Sequence, residues 1–173
     1  MKRFKSIIYL PVITLFVMTS CMGVSHISSS SGLDESSLNQ IPKGTKIIYV
    51  EKNNALIDEY YEDILNVLMS RGHRIMKEDK ERHYVTTEGK DIGQSTLQRM
   101  TLFITQNKNN CILKITTEWK AGTEATAMAT AMSGIPMQSD WAIATWEISR
   151  LGMAFAESLA IAKEIKEGII TFE

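Results

Sequence analysis

What this sequence lacks first is a catalytic constellation. It contains no GxSxG, no HExxH, no Walker phosphate loop, no CxxC and no pair of carboxylates placed with a base. Each of those spacings puts a nucleophile, a metal or a phosphate cradle at a fixed place in a fold. Without them the expectation is a protein that is not an enzyme and needs no cofactor. Long apolar runs are missing too. A spanning helix needs about 20 apolar residues, whereas the mostly apolar stretch of residues 7–18 is interrupted by Pro11 and gives way to Thr19-Ser20. Histidine is scarce: only His26, His73 and His83 occur in 173 residues. Read as a hairpin, residues 73–78 and 83–88 would set Glu78 opposite His83 and His73 opposite Glu88. That pairing holds the two histidines roughly 16 Å apart at ~3.3 Å per residue, too far to share an ion, so no metal site is expected.

What is present begins at the start of the chain. Lys2, Arg3 and Lys5 form a cationic head with no acidic residue before Asp34, and the apolar stretch follows it. These are the charged and apolar regions of a secretion signal. The stretch ends in Met18-Thr19-Ser20-Cys21: a bulky apolar residue, two small ones and a cysteine. This arrangement resembles the lipobox of bacterial lipoproteins, with Met18 in place of the commoner Leu. The resemblance covers residues 1 to 21 and implies that Cys21 receives a diacylglyceryl thioether, that the signal is removed before it, and that the new amino group is commonly acylated. One acyl chain holds a protein only reversibly, whereas two or three make a durable anchor. Met22 is not the Asp that marks inner-membrane retention in some bacteria, which favours the outer membrane. An ordinary signal cleaved near Ser20, leaving Cys21 as a spare thiol, is the alternative.

Cysteine usage fits the anchor. Only Cys111 remains once Cys21 carries lipid, so no internal disulfide is possible and the exported domain depends on its core. Without the signal the chain runs from Cys21 to Glu173 with 16 Lys and Arg against 20 Asp and Glu, a net of −4. That argues against nucleic acid or an anionic membrane surface as a partner, since both reward concentrated positive charge. The expected organisation is a signal peptide over residues 1–20, a lipidated Cys21 with a flexible Ser-rich tether to residue 44, and a single domain over residues 45–173. A tether of this composition cannot bury enough surface to order itself, and some 20 residues reach roughly 25 Å.

Within the domain, residues 45–51 read as a strand and residues 53–71 as an amphipathic helix capped by Asn53 or Asn54, stopped at Gly72. After the strands at 73–78 and 83–88 comes a loop over residues 89–95. The clearest pair, residues 96–106 and 111–120, flanks Asn107-Lys108-Asn109-Asn110 as a hairpin with Gln106 opposite Cys111. In that register Ile104 meets Leu113, Leu102 meets Ile115 and Met100 meets Thr117 on one face. Phe103 meets Lys114 and Arg99 meets Glu118 on the other. One face is apolar and one is wet. Cys111 reads as a small packing residue, since nothing nearby supplies a base.

Residues 121–139 carry a tandem ATAM-ATAM and then Met137. Small residues and unbranched methionines make an adaptable apolar surface, so Met128, Met132 and Met137 mark a candidate partner or ligand segment; a packed loop is the plainer reading. From Asp140, as cap, to about residue 166, a stripe through Trp141, Ile148, Phe155 and Leu159 reads as one long helix. The fold expected is α+β, in the order β-α-β-β-β-β-α, with an antiparallel sheet of about five strands and two helices on one face. This layout is similar to the helix-grip modules of lipoprotein subunits in the outer-membrane β-barrel assembly machinery, which implies a protein-binding accessory role. Three functions follow. The first is a non-catalytic adaptor for another envelope protein; the second is a carrier of a small apolar ligand between sheet and long helix; the third, distant, is a hydrolase.

Overall fold

The computed structural model describes residues 23–136, 138–165 and 167–173. The expected secretion signal and Cys21 lie outside them. Among the described residues the protein is α+β, with five helices and eight strands in one antiparallel sheet, ordered β2-β3-β5-β6-β1-β8 with β4 on β5 and β7 on β6. The strands are β1 (Ile47–Asn53), β2 (Ile75–Asp79), β3 (Tyr84–Thr87), β4 (Lys90–Asp91), β5 (Thr96–Asn107), β6 (Asn110–Ala121), β7 (Ala142–Ile143) and β8 (Gly168–Phe172). The helices are α1 (Val24–Ser31), α2 (Glu35–Asn39), α3 (Ile57–Ser70), α4 (Thr123–Ser133) and α5 (Arg150–Glu164). This count replaces the five strands and two helices expected.

The β5–β6 hairpin forms in the register that its alternation demands, with Gln106 opposite Cys111, Ile104 opposite Leu113 and Arg99 opposite Glu118. A slip of one residue would turn Met100, Leu102, Ile104, Leu113 and Ile115 out to water. All five are buried, each contributing ~1.5 to 3 kcal/mol by leaving water. α3 packs over this face through Tyr60, Tyr61, Ile64, Leu65 and Leu68. Asp58 and Glu59 sit in its first turn, where the helix dipole favours negative charge. Gly72, at φ 76°, supplies the left-handed residue just past the helix end.

The structure departs from the expected layout in four places. The Ser-rich segment is folded rather than free: Ile27 and Leu38 are fully buried, and Leu33 and Ile41 join them in the core. α1 covers the outer side of α5, so α5 is enclosed all round, with every residue from Gly152 to Ala162 buried. That enclosure accounts for its small residues, Gly152, Ala154, Ala156, Ser158, Ala160 and Ala162, since only short side chains allow three layers to approach.

The last helix starts at Arg150 with Ser149 as cap, its side chain accepting from the Leu151 amide at 3.1 Å, and Asp140 caps nothing. Residues 140–148 are not helical; β7 pairs there with Glu118 and Trp119 of β6. Trp141 lies over the Arg99 guanidinium at 4.4 Å and the Lys120 ammonium at 4.8 Å, so it packs on the wet face rather than in a helical stripe. After α5 the chain adds a strand that was not expected, β8, antiparallel to β1.

β2 and β3 pair as a hairpin in another register. Glu78 lies opposite Val85, not His83, and a bulge between Ile75 and Lys77 shifts the rest. His83 sits instead in the left-handed region at φ 48° and meets Asp58 Oδ1 at 3.0 Å.

Candidate functional site

Strand order brings together on the open face residues that are distant in sequence. Tyr84 lies opposite Phe103, Phe103 opposite Lys114, Lys114 opposite Tyr49, and Tyr49 opposite Thr171. At ~4.8 Å between strands this row is about 19 Å wide. Beside it run Thr105, Ile112, Glu51 and Ile169 in matching register. Phe103 is 39% exposed and Ile169 56%, while Tyr49, Tyr84 and Ile112 are half-buried. The core side chains of the same strands point to the opposite face, under α3 and α5. The open face therefore offers aromatic and aliphatic area interrupted at its centre by Lys114 and Glu51.

Two of its polar side chains are held. The Tyr49 hydroxyl donates to Glu173 Oε2 at 2.7 Å, and that hydrogen bond, with some burial and the carboxylate's charge, raises the phenol above its usual range. Arg99 Nε donates to Glu118 Oε2 at 2.7 Å while Trp141 covers the guanidinium, closing one corner of the face. Aromatic area with a satisfied polar rim is the composition of protein-binding surfaces.

A second cluster is internal. Glu157 of α5 accepts from Arg71 Nη2 at 2.9 Å, Lys90 Nζ at 3.1 Å and the His73 ring at 3.3 Å, and Arg71 also reaches Glu164. Burial acts most strongly on the Glu157 carboxyl and pushes its pKa up. The hydrogen bonds from His73, Arg71 and Lys90 together with the Arg71 charge outweigh it and hold the group well below the carboxylate range. One anion held by three nitrogen bases is a structural clasp joining α5 to the end of α3 and to β4.

The residues singled out in the sequence fall as follows. Cys21 and Met137 lie outside the described residues. Met128 and Met132 project from α4, 68% and 84% exposed, and α4 has no buried residue. Cys111 is fully buried, its thiol near the Ala55 carbonyl at 3.3 Å, and burial pushes its pKa up against the pull of Lys52. Trp146 is buried beside Phe155, with ring centres 6.1 Å apart. No helix among the described residues is long and apolar enough to cross a membrane.

Surface clefts sit at the margins of the helical layer. One of about 420 Å³ is lined by Lys52, Asp63, Asn66, Glu164 and Glu167 with Val67 and Ile165; another of about 390 Å³ is lined by Lys43, Trp146, Glu147 and Ile148. The wet face and its Phe103–Lys114 pair were legible in the sequence as a partner surface, but Tyr84 and Tyr49 beside them were not, because those pairings need the strand order, which no local pattern carries.

No protein-family model matches the chain, and no curated protein does. Among solved structures it is similar to a DUF4468 family protein from Bacteroides ovatus ATCC 8483, with 11% identity, 73% of this chain and 90% of that chain covered, and a TM-score of 0.39. A likeness of that degree carries no functional reading.

Proposed function

We propose that this protein is a lipid-anchored lipoprotein of the bacterial envelope, held at the outer membrane through Cys21, whose folded body is a non-catalytic binding module for another envelope protein. The observation that carries the binding role is the open-face row Tyr84, Phe103, Lys114, Tyr49, which leaves aromatic area on a rigid sheet in contact with solvent. Rigid aromatic anchors lose little conformational freedom on docking and dominate the energetics of such surfaces. A partner seated there would bury Phe103 and meet Lys114 and Glu51 with complementary charges. The carrier reading has less support, because the clefts are open at the margins and the larger one is lined mostly by charged and amide side chains.

The test is photocrosslinking in the native envelope, with a benzophenone side chain placed at Phe103 and, separately, at Met69 on the exposed side of α3. A discrete heavier adduct from position 103 and none from position 69 is the expected result. No adduct at 103, or equal adducts at both positions, rejects the binding face.

A further inference from the structure

α4 is an exposed helix without the residues that usually keep one in water. Of its eleven residues only Glu124 is charged, and none is buried. Ala125, Thr126, Ala129 and Thr130 are half-buried, while Ala127, Met128, Ala131 and Met132 are exposed along one stripe that Ile135 continues past the left-handed Gly134. A helix face this apolar ordinarily meets another surface.

Its position says which surface. The Gly122 amide donates to the Ser95 carbonyl at 2.6 Å, and the Ser95 hydroxyl donates to Glu124 at 3.1 Å, tying the start of α4 to the turn at residues 93–95. In that turn the Gln94 amide meets the His26 ring on α1. α1 begins at Val24, three residues after Cys21. Three extended residues span at most about 11 Å, so no long tether separates the lipidation site from the folded body. The same end of the sheet holds the Thr96–Ala121 pair, whereas the hairpin tip at Lys108 is twelve residues away, about 40 Å at ~3.3 Å per residue.

We propose that α4 lies on the bilayer that holds the Cys21 lipid, with Met128, Met132 and Ile135 entering the boundary between headgroups and acyl chains. The inference rests on the anchor reading above. The helix needs no basic residues for this, because the covalent anchor keeps it at the surface and turns a weak apolar contact into an intramolecular one. Methionine suits the role, being unbranched and adaptable to a fluid surface. The long hairpin then stands away from the membrane and its open face stays available to a partner.

The experiment uses the full lipidated protein isolated from its host, with bimane attached to Met132→Cys or, as the distal control, to Lys108→Cys; Cys111 is buried. Each is placed in phosphatidylethanolamine–phosphatidylglycerol vesicles with brominated acyl chains, and intact-mass measurement of the same sample reports the lipid on Cys21. Quenching at least threefold at position 132 and none at position 108 is the expected result. Equal signals at both positions in protein that carries the lipid overturn the membrane contact alone and leave the anchor standing. A blue-shifted but unquenched probe at 132 means a protein occupant or a second copy, and overturns it as well. An unacylated Cys21 removes the anchor and the contact together.

Discussion

Glu157 Oε2 accepts from Arg71 Nη2 at 2.9 Å across 86 positions of sequence, and with His73 and Lys90 this contact locks the central helix to the end of α3. The carboxylate is 7% exposed. Replacing it by Glu157→Gln leaves the part-buried Arg71 and Lys90 without their shared anion, while Arg71 keeps Glu164, a change that costs about 1 to 3 kcal/mol. The folded pKa is depressed, so the contribution is full at neutral pH. It starts to fall once pH drops below the unfolded value near ~4.3, and shrinks further as pH approaches the folded value. Denaturant titrations of the native and variant chains from pH 7 to pH 3 should show the gap between them narrowing below about pH 4.3. A gap that stays constant over that range contradicts the clasp.

Cys111 should be inert until the fold opens. Its thiol is fully buried and burial raises its pKa, so little thiolate is present or reachable at neutral pH. With Cys21 acylated, an aromatic disulfide reagent should find no fast thiol in the native protein and one in denaturant. A thiol that reacts at once in native lipidated protein would refute the packing role.

Gly152 is required by close approach. A Cβ there would stand 1.8 Å from the Glu147 carbonyl oxygen and 2.9 Å from its carbon, both backbone atoms that cannot rotate away. Gly152→Ala should destabilise the protein by about 1 to 3 kcal/mol or more through displaced backbone. Urea unfolding measures it, and a loss below about 0.5 kcal/mol, the range of ordinary surface changes, would mean that the turn into α5 gives way easily.

The open face separates binding from folding. Phe103→Ser should change stability by no more than about 1 kcal/mol, the range of cross-strand pairs, while the yield of any adduct from a crosslinker at Tyr49, two strands away on the same face, falls severalfold. If stability drops by several kcal/mol instead, the ring belongs to the core and the face is not free to bind.

The sequence carried some of this and not the rest, for reasons visible at particular residues. The β5–β6 register was legible because alternation over twelve residues on each strand leaves one pairing that buries Met100, Leu102 and Ile104 together. The β2–β3 register was not, since Asp79-Lys80-Glu81-Arg82 sets no turn type and a bulge resets the phase. α1 and α2 were hidden by serine content, although Ile27, Leu33, Leu38 and Ile41 gave a signal that their spacing did not organise. Trp141 and Ile148 fell on a helical spacing by chance, and only the Ser149 cap shows where the helix starts. Glu157 had a readable signature that went unused: a single carboxylate inside Ala-Phe-Ala-Glu-Ser-Leu-Ala needs partners, and Arg71 and His73 flank the glycine that ends α3.

Mass spectrometry of the amino-terminal peptide from protein made in its native host tests the central claim most directly. The account predicts that the peptide begins at Cys21 with a diacylglyceryl group on its sulfur. A free Cys21 thiol, or a mature chain that starts at another residue, would contradict it.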